Sequence, residues 1–127
     1  LPPVEGEANR LRKEIYIHGC FSLGALFQGT NEIMSSRSIL QEAIAIAREL
    51  GGKHLLGLGL EMYASASAMI KADDTLASAQ EGLEIFRELN YNPGTWMAYS
   101  NLARWETING NFQEGEKYVA LARASMK

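Results

Sequence analysis

SNLARWETINGNFQEG, Ser100 to Gly115, contains two helix fragments and the break between them. Arg104, Trp105 and Glu106 precede Asn109-Gly110-Asn111, and Phe112 opens the next run. The cluster of a cation, an indole and a carboxylate resembles the start of a small active site. The same residues also fit one copy of a packing pattern, and the rest of the chain favours packing. Downstream, Phe112, Gly115, Val119, Ala122 and Met126 are spaced 3, 4, 3 and 4, the period of one helix face. Leu76, Ala79, Leu83 and Phe86 form a second such stripe, and Ile39, Ala43, Ile46, Ala47 and Leu50 a third. Each predicts an amphipathic helix with a buried side. No stretch alternates with period two, so strands are not expected.

Breaks fall at Gly29-Thr30-Asn31, Gly51-Gly52, Asp73-Asp74, Asn90 to Gly94 and Gly110-Asn111. Gly and Asn end helices by taking the left-handed conformation, while Asp and Asn start them by accepting a free backbone N–H. Asn111 with Glu114 three residues on has the form of a capping box. The pattern predicts an all-α domain spanning 1–127 with six helices, roughly 7–28, 32–50, 53–72, 74–90, 93–109 and 112–126. Leu1 to Gly6, with two prolines, is read as a lead-in. The chain opens on Leu1 rather than Met, which suggests a piece of a longer protein.

Helix, short break, helix occurs three times, at about 7–50, 53–90 and 93–127. Cys20, Leu23, Gly24 and Phe27 precede Asn31, then Ser36, Leu40 and Ala43. Tyr63, Ala66, Ser67 and Ile70 precede Asp74, then Ala79, Leu83 and Phe86. Tyr99, Leu102, Ala103 and Glu106 precede Gly110, then Gly115, Val119 and Ala122. From Cys20 to Tyr63 to Tyr99 the copies are offset by 43 and then 36 residues, the length of a two-helix unit in a stacked solenoid. Small residues at Gly24, Ser67 and Ala103 let the paired helices approach, and Cys20, Leu23, Tyr63, Tyr99 and Leu102 are expected to fill the space between units. Gly57 and Gly59 have no slot in this scheme.

This pattern resembles the tetratricopeptide repeat family, most closely in CFSLGALF, Cys20 to Phe27. NLARWETINGNFQEGEKYVALA is similar to the variant found in large bacterial signalling ATPases of the maltose-regulator type. The second copy departs by carrying Ser67 for Gly, and a unit-ending proline occurs only as Pro93. The resemblance implies a right-handed α-solenoid of three stacked helix-turn-helix repeats, with a concave groove lined by the first helix of each pair. Carried over by position, the groove holds His18, Phe21, Ala25 and Gln28, then Glu61, Ala64, Ala68 and Lys71, then Met97, Ser100, Arg104 and Thr107. Phe21 and Met97 would anchor apolar groups. Arg104 and Lys71 would converge on a carboxylate, and Glu61 would meet a basic group. The family's chaperone-type carboxylate clamp is not matched, because its positions hold Phe21, Ala25, Ser65, Met97 and Asn101.

Composition narrows the function. The chain carries a net charge of −3 with no cluster of Lys and Arg, so a direct nucleic-acid partner is not expected. No run approaches the roughly 18 apolar residues of a membrane span, and none reads as a signal peptide. Cys20 is the only cysteine, which fits a reducing, cytoplasmic setting. His18 and Cys20 lie two apart on a helix and point different ways, so no metal site is expected. Gly51-Gly52-Lys53 lacks phosphate-loop spacing, and no nucleophile is placed beside Glu106. Neither a catalytic residue nor a cofactor is expected. Trp105 is expected in the core and Glu106 against a helix end or a tyrosine hydroxyl, with Arg37, Glu42, Arg48, Glu49, Glu84, Arg87 and Glu88 on a solvated outer face. The expected function is a protein or peptide scaffold, a regulatory module of a bacterial signalling or transcription-regulating protein. The alternative is a small-molecule effector domain acting on a linked ATPase or DNA-binding domain. Tyr118 and Leu121 on the far side of the last helix suggest self-association through the C-terminal end.

Overall fold

The computed structural model describes residues 5–127, and the lead-in of residues 1–4 lies outside them. Glu5 and Gly6, assigned to that lead-in, are already helical. The described residues form six helices and no strand: α1 Glu5–Gly29, α2 Ile33–Leu50, α3 Lys53–Ala68, α4 Thr75–Glu88, α5 Asn92–Ile108 and α6 Phe112–Ser125.

One device makes all five connections. Asn31, Gly51, Lys71, Asn90 and Gly110 each take a left-handed conformation, with φ of 60°, 68°, 52°, 53° and 82°. In each case the following N–H reaches back five residues to a carbonyl of the finished helix: Glu32 to Phe27, Gly52 to Ala47, Ala72 to Ser67, Tyr91 to Phe86 and Asn111 to Glu106. This closure satisfies carbonyls the helix end leaves free. Four of the five sites carry the Gly or Asn that suits the conformation. The third is Lys71, so α3 stops at Ala68, short of the expected residue 72.

Helix starts depart from expectation as well. Asn111 and Asp74 stand at N-cap positions, yet neither makes a side-chain cap bond. Asn111 instead donates to Glu106 at 2.9 Å, and Glu114 accepts from Lys117 at 2.9 Å, so the capping box does not form. Asp74 is drawn away by Arg37, which donates to it at 3.0 Å.

Each helix packs against its sequence neighbours. The odd helices also touch in order, α1 on α3 and α3 on α5, so α3 contacts four helices. One buried cluster joins Ile17, Cys20, Ala43 and Ala47, and another joins Ala64, Ala79, Leu83, Ala98, Tyr99, Leu102 and Ala122. Close approach is built from small residues, as expected at Gly24, where a β-carbon would come within 2.8 Å of Leu40. Gly57, unexplained by sequence, faces the fully buried ring of Phe86, and Gly94 of α5 meets the same ring. Gly59 leaves room for Ile44 and Phe21.

Several expected core positions are open. Leu23 is 44% exposed, and so are Ile70, Phe112, Val119 and Met126 to similar or greater degrees. On α6 only Gly115 and Ala122 are buried. Tyr118, expected on the far side, turns inward and stacks on Tyr99 with ring centres 6.3 Å apart. A stripe narrower than its periodicity results because α6 touches α5 alone. Arg37 is not on a solvated face. Its guanidinium donates to Ser67 Oγ at 3.0 Å and to Tyr63 OH at 2.8 Å, besides Asp74, and Tyr63 OH donates in turn to Asp74. Gln41 donates to Tyr63 OH as well, so the network ties α2 and α3 to the start of α4. Arg87 likewise donates to Tyr99 OH across α4 and α5.

Candidate binding cleft

The odd helices together line one open cleft of about 350 Å³. α1 contributes Ala25 and Gln28, α3 contributes Glu61, Met62 and Ser65, and α5 contributes Trp96, Met97, Ser100, Asn101 and Arg104. An adjoining hollow shares Gln28, Ser65 and Arg104 and adds Ala68, Lys71 and Ile108. Eight of the twelve expected groove residues therefore gather here: Ala25, Gln28, Glu61, Ala68, Lys71, Met97, Ser100 and Arg104.

Four do not. His18 is exposed on α1 and meets only the edge of Phe21, at 6.0 Å between ring centres. Phe21 packs against the α1–α2 cluster and beside Gly59, which takes it out of the cleft. Thr107 Oγ1 donates to Ala103 O at 2.8 Å and lies against Gly115, on the α6 side of α5. Ala64, also placed in the groove, is fully buried beneath it. Family position alone misplaced these residues because a side chain one step along a helix turns by 100°, enough to swing it from the cleft to a neighbour.

A hydrogen-bond chain crosses the cleft. Arg104 Nη1 donates to Ser65 Oγ at 3.2 Å, Ser65 Oγ donates to Gln28 Oε1 at 3.4 Å, and Gln28 Nε2 donates to the Met62 carbonyl at 3.4 Å. Neither Arg104 nor Lys71 forms an ion pair among the described residues. Their charges border one hollow and are free to meet an anionic group. Met62, Met97 and the half-exposed Trp96 supply apolar surface at the other side. Lys71 reaches this place from the left-handed turn after α3 rather than from the helix itself.

Glu61 plays a different part from the one expected. It is fully buried at the base of the cleft and cannot receive a basic group from solvent. Asn101 Nδ2 donates to Glu61 Oε1 at 3.0 Å and to the Glu61 carbonyl at 2.9 Å. Oε2 is buried with no partner and fills the space that a β-carbon on Gly82 of α4 would take. Burial pushes the Glu61 carboxyl up to about 8, against a smaller downward pull from the Asn101 hydrogen bond. At neutral pH the group is mainly uncharged, the form that a site closed to water favours.

The opening stretch contributes mostly packing. Trp105 is half-buried, and Glu106 takes the Asn111 side chain at the α5–α6 turn, the helix-end role expected of it. Met62 and Trp96 are cleft residues that sequence reading missed. The cue was Trp96 itself, a large apolar residue one step from Met97 on a helix whose buried face was already filled by Ala98, Tyr99 and Leu102. Buried Cys20 has its thiol pushed up by desolvation, and no group of three His, Cys, Asp or Glu side chains gathers among the described residues. No described helix is long and apolar enough to cross a membrane. Comparison with protein-family models, with curated proteins and with solved structures gives no match for this chain.

Proposed function

We propose that this chain is a binding scaffold of the tetratricopeptide type, three stacked helical hairpins whose α1–α3–α5 face takes a protein segment. In this reading it binds rather than catalyses, and it serves as a cytoplasmic regulatory module of a bacterial signalling or transcription-regulating protein, with no nucleic acid or membrane as direct partner. The observation that supports it is the cleft: Met62, Trp96 and Met97 lie beside the unpaired cations Arg104 and Lys71. Such a surface suits a short peptide that presents a large apolar side chain next to a carboxylate. Arg is apt for this because its planar fork can grip a carboxylate with two parallel bonds. The alternating contacts, with odd helices touching odd helices in series, fit the hairpin stack.

A displayed random-peptide library panned against the chain tests the reading. The expected outcome is enrichment of sequences pairing an aromatic or aliphatic residue with Asp, Glu or a free C-terminus. Against Arg104→Glu, the enriched peptides should bind about 2–4 kcal/mol more weakly, since a donor is lost and repulsion added. Folding should change by at most ~1 kcal/mol, because Arg104 is exposed. If the variant melts early and still binds the peptides, Arg104 is structural and the reading fails. The size of the cleft, about 350 Å³, also suits a small carboxylate effector, the second reading. A thermal-shift panel of small mono- and dicarboxylates separates the two, since a bound effector raises the melting temperature with concentration.

A further inference from the structure

The two hollows of the cleft lie end to end along the odd helices. Their lining advances on α1 from Ala25 to Gly29, on α3 from Glu61 to Ala68 and on α5 from Trp96 to Ile108. The three advance together, so α1, α3 and α5 run parallel, and the second hollow, of about 820 Å³, sits nearer their C-terminal ends. Gln28, Ser65 and Arg104 form the sill common to both. From Trp96 to Ile108 the trough is ~18 Å long, at ~1.5 Å of rise per residue. An extended ligand of that length would bury backbone N–H and C=O groups that need partners. The amide and hydroxyl side chains of the trough are already engaged elsewhere. Ser65 donates to Gln28, Gln28 to the Met62 carbonyl, Ser100 to the Trp96 carbonyl and Asn101 to Glu61. A helical ligand brings its own backbone hydrogen bonds and asks the trough only for side-chain contacts.

Charge fixes the direction of such a ligand. Arg104 and Lys71 border the second hollow, both exposed and neither in an ion pair among the described residues. The one carboxyl among the lining residues, Glu61, is closed off from solvent. Gly29 and Ala68, the last residues of α1 and α3, line the same hollow, so the negative ends of two helix dipoles lie there. We propose that the trough takes an amphipathic helix of about three turns from a partner protein, antiparallel to the odd helices, with acidic residues in its first turn over Arg104 and Lys71 and large apolar residues further on over Met62, Trp96 and Met97. The parts of this arrangement agree. A helix N-terminus complements the C-terminal ends of α1 and α3, and acidic residues are favoured in a helix's own first turn. Met97 precedes Arg104 by two helical turns, so the ligand's apolar residue stands about seven positions after its acid. Small side chains at Ala25, Ser65 and Ala68 let a helix approach closely. The proposal rests on the cleft being the binding face, and adds the ligand's conformation and polarity.

Fluorescence anisotropy with three labelled peptides tests the proposal. The first is an acetylated, alanine-based peptide of about 14 residues, with glutamates in its first turn and leucine and phenylalanine two turns later on the same face. The second has the same composition in reverse order, so that its acids fall in the last turn. The third is the first with a proline at its centre, which breaks the helix. The first peptide should bind the chain at least tenfold more tightly than either of the others, and Arg104→Glu should weaken it at least tenfold. Equal binding by the proline peptide means an extended ligand, and equal binding by the reversed peptide means the wrong polarity. Either overturns the proposal while leaving the cleft as the binding face. Binding that Arg104→Glu leaves unchanged places the helix elsewhere and overturns it too. If none of the three binds up to millimolar concentration, the helical occupant is refuted, and the random-peptide library decides separately whether the cleft takes another segment.

Discussion

At Glu61, one buried carboxyl makes stability depend on pH. Its folded value of about 8 lies above the ordinary 4.5, so between those limits the folded state holds a proton that the unfolded chain releases. The sign follows: stability is greatest below about 4.5 as far as this group is concerned, and it falls as pH rises toward 8. The slope approaches about 1.4 kcal/mol per pH unit within the window. Glu61→Gln should flatten that dependence, because Gln keeps the acceptor that Asn101 uses and carries no charge. Urea midpoints at several pH values across the window check this, and a difference from wild type that does not grow with pH would contradict it. Both histidines remain in the variant, so the comparison isolates position 61. The sequence shows a Glu at this place but not its burial. That follows from Gly82, whose missing side chain brings α4 onto the carboxyl.

Helices were legible because each carries its own stripe and, with one exception, its own stop. Gly51, Gly110, Asn31 and Asn90 announce their turns, since Gly and Asn tolerate positive φ at little cost. Lys71 does not, and the end of α3 was accordingly misplaced. A lysine in this conformation carries a steric cost of roughly 1–2 kcal/mol that glycine escapes. Lys71→Gly should therefore stabilise the fold by about 1 kcal/mol, read as a higher urea midpoint, while weakening any ligand held with Arg104. A lower midpoint would show that the lysine stem contributes packing at the turn. Helix starts were less legible. Asp74 and Asn111 have capping chemistry, but Arg37 and Glu106 compete for the same side chains, and such partners lie 37 and 5 residues away.

Over the whole molecule, Phe86 ties α4 to both α3 and α5. Its fully buried ring on α4 fills the space left by Gly57 on α3 and Gly94 on α5. Phe86→Ala should cost about 3–5 kcal/mol, the usual range for emptying an aromatic site in a core. The check is chemical unfolding followed by circular dichroism and by the fluorescence of Trp96 and Trp105, both on α5. A loss below 1 kcal/mol would mean the neighbours collapse into the space and that the ring is not a linchpin. By itself the sequence determined the helical class, the number of helices and nearly all their limits, because periodicity and turn chemistry act over a few residues. Positions carried over from the repeat resemblance also fall in the cleft at Gln28, Met97, Ser100 and Arg104. Only the tertiary structure decided which polar groups were sealed in and which apolar ones were left out. The burial of Glu61, the Arg37–Tyr63–Asp74 network and the open faces of α1 and α6 all depend on which helix lies alongside. That choice is made by contacts between residues far apart in the chain, and a local pattern carries no record of them.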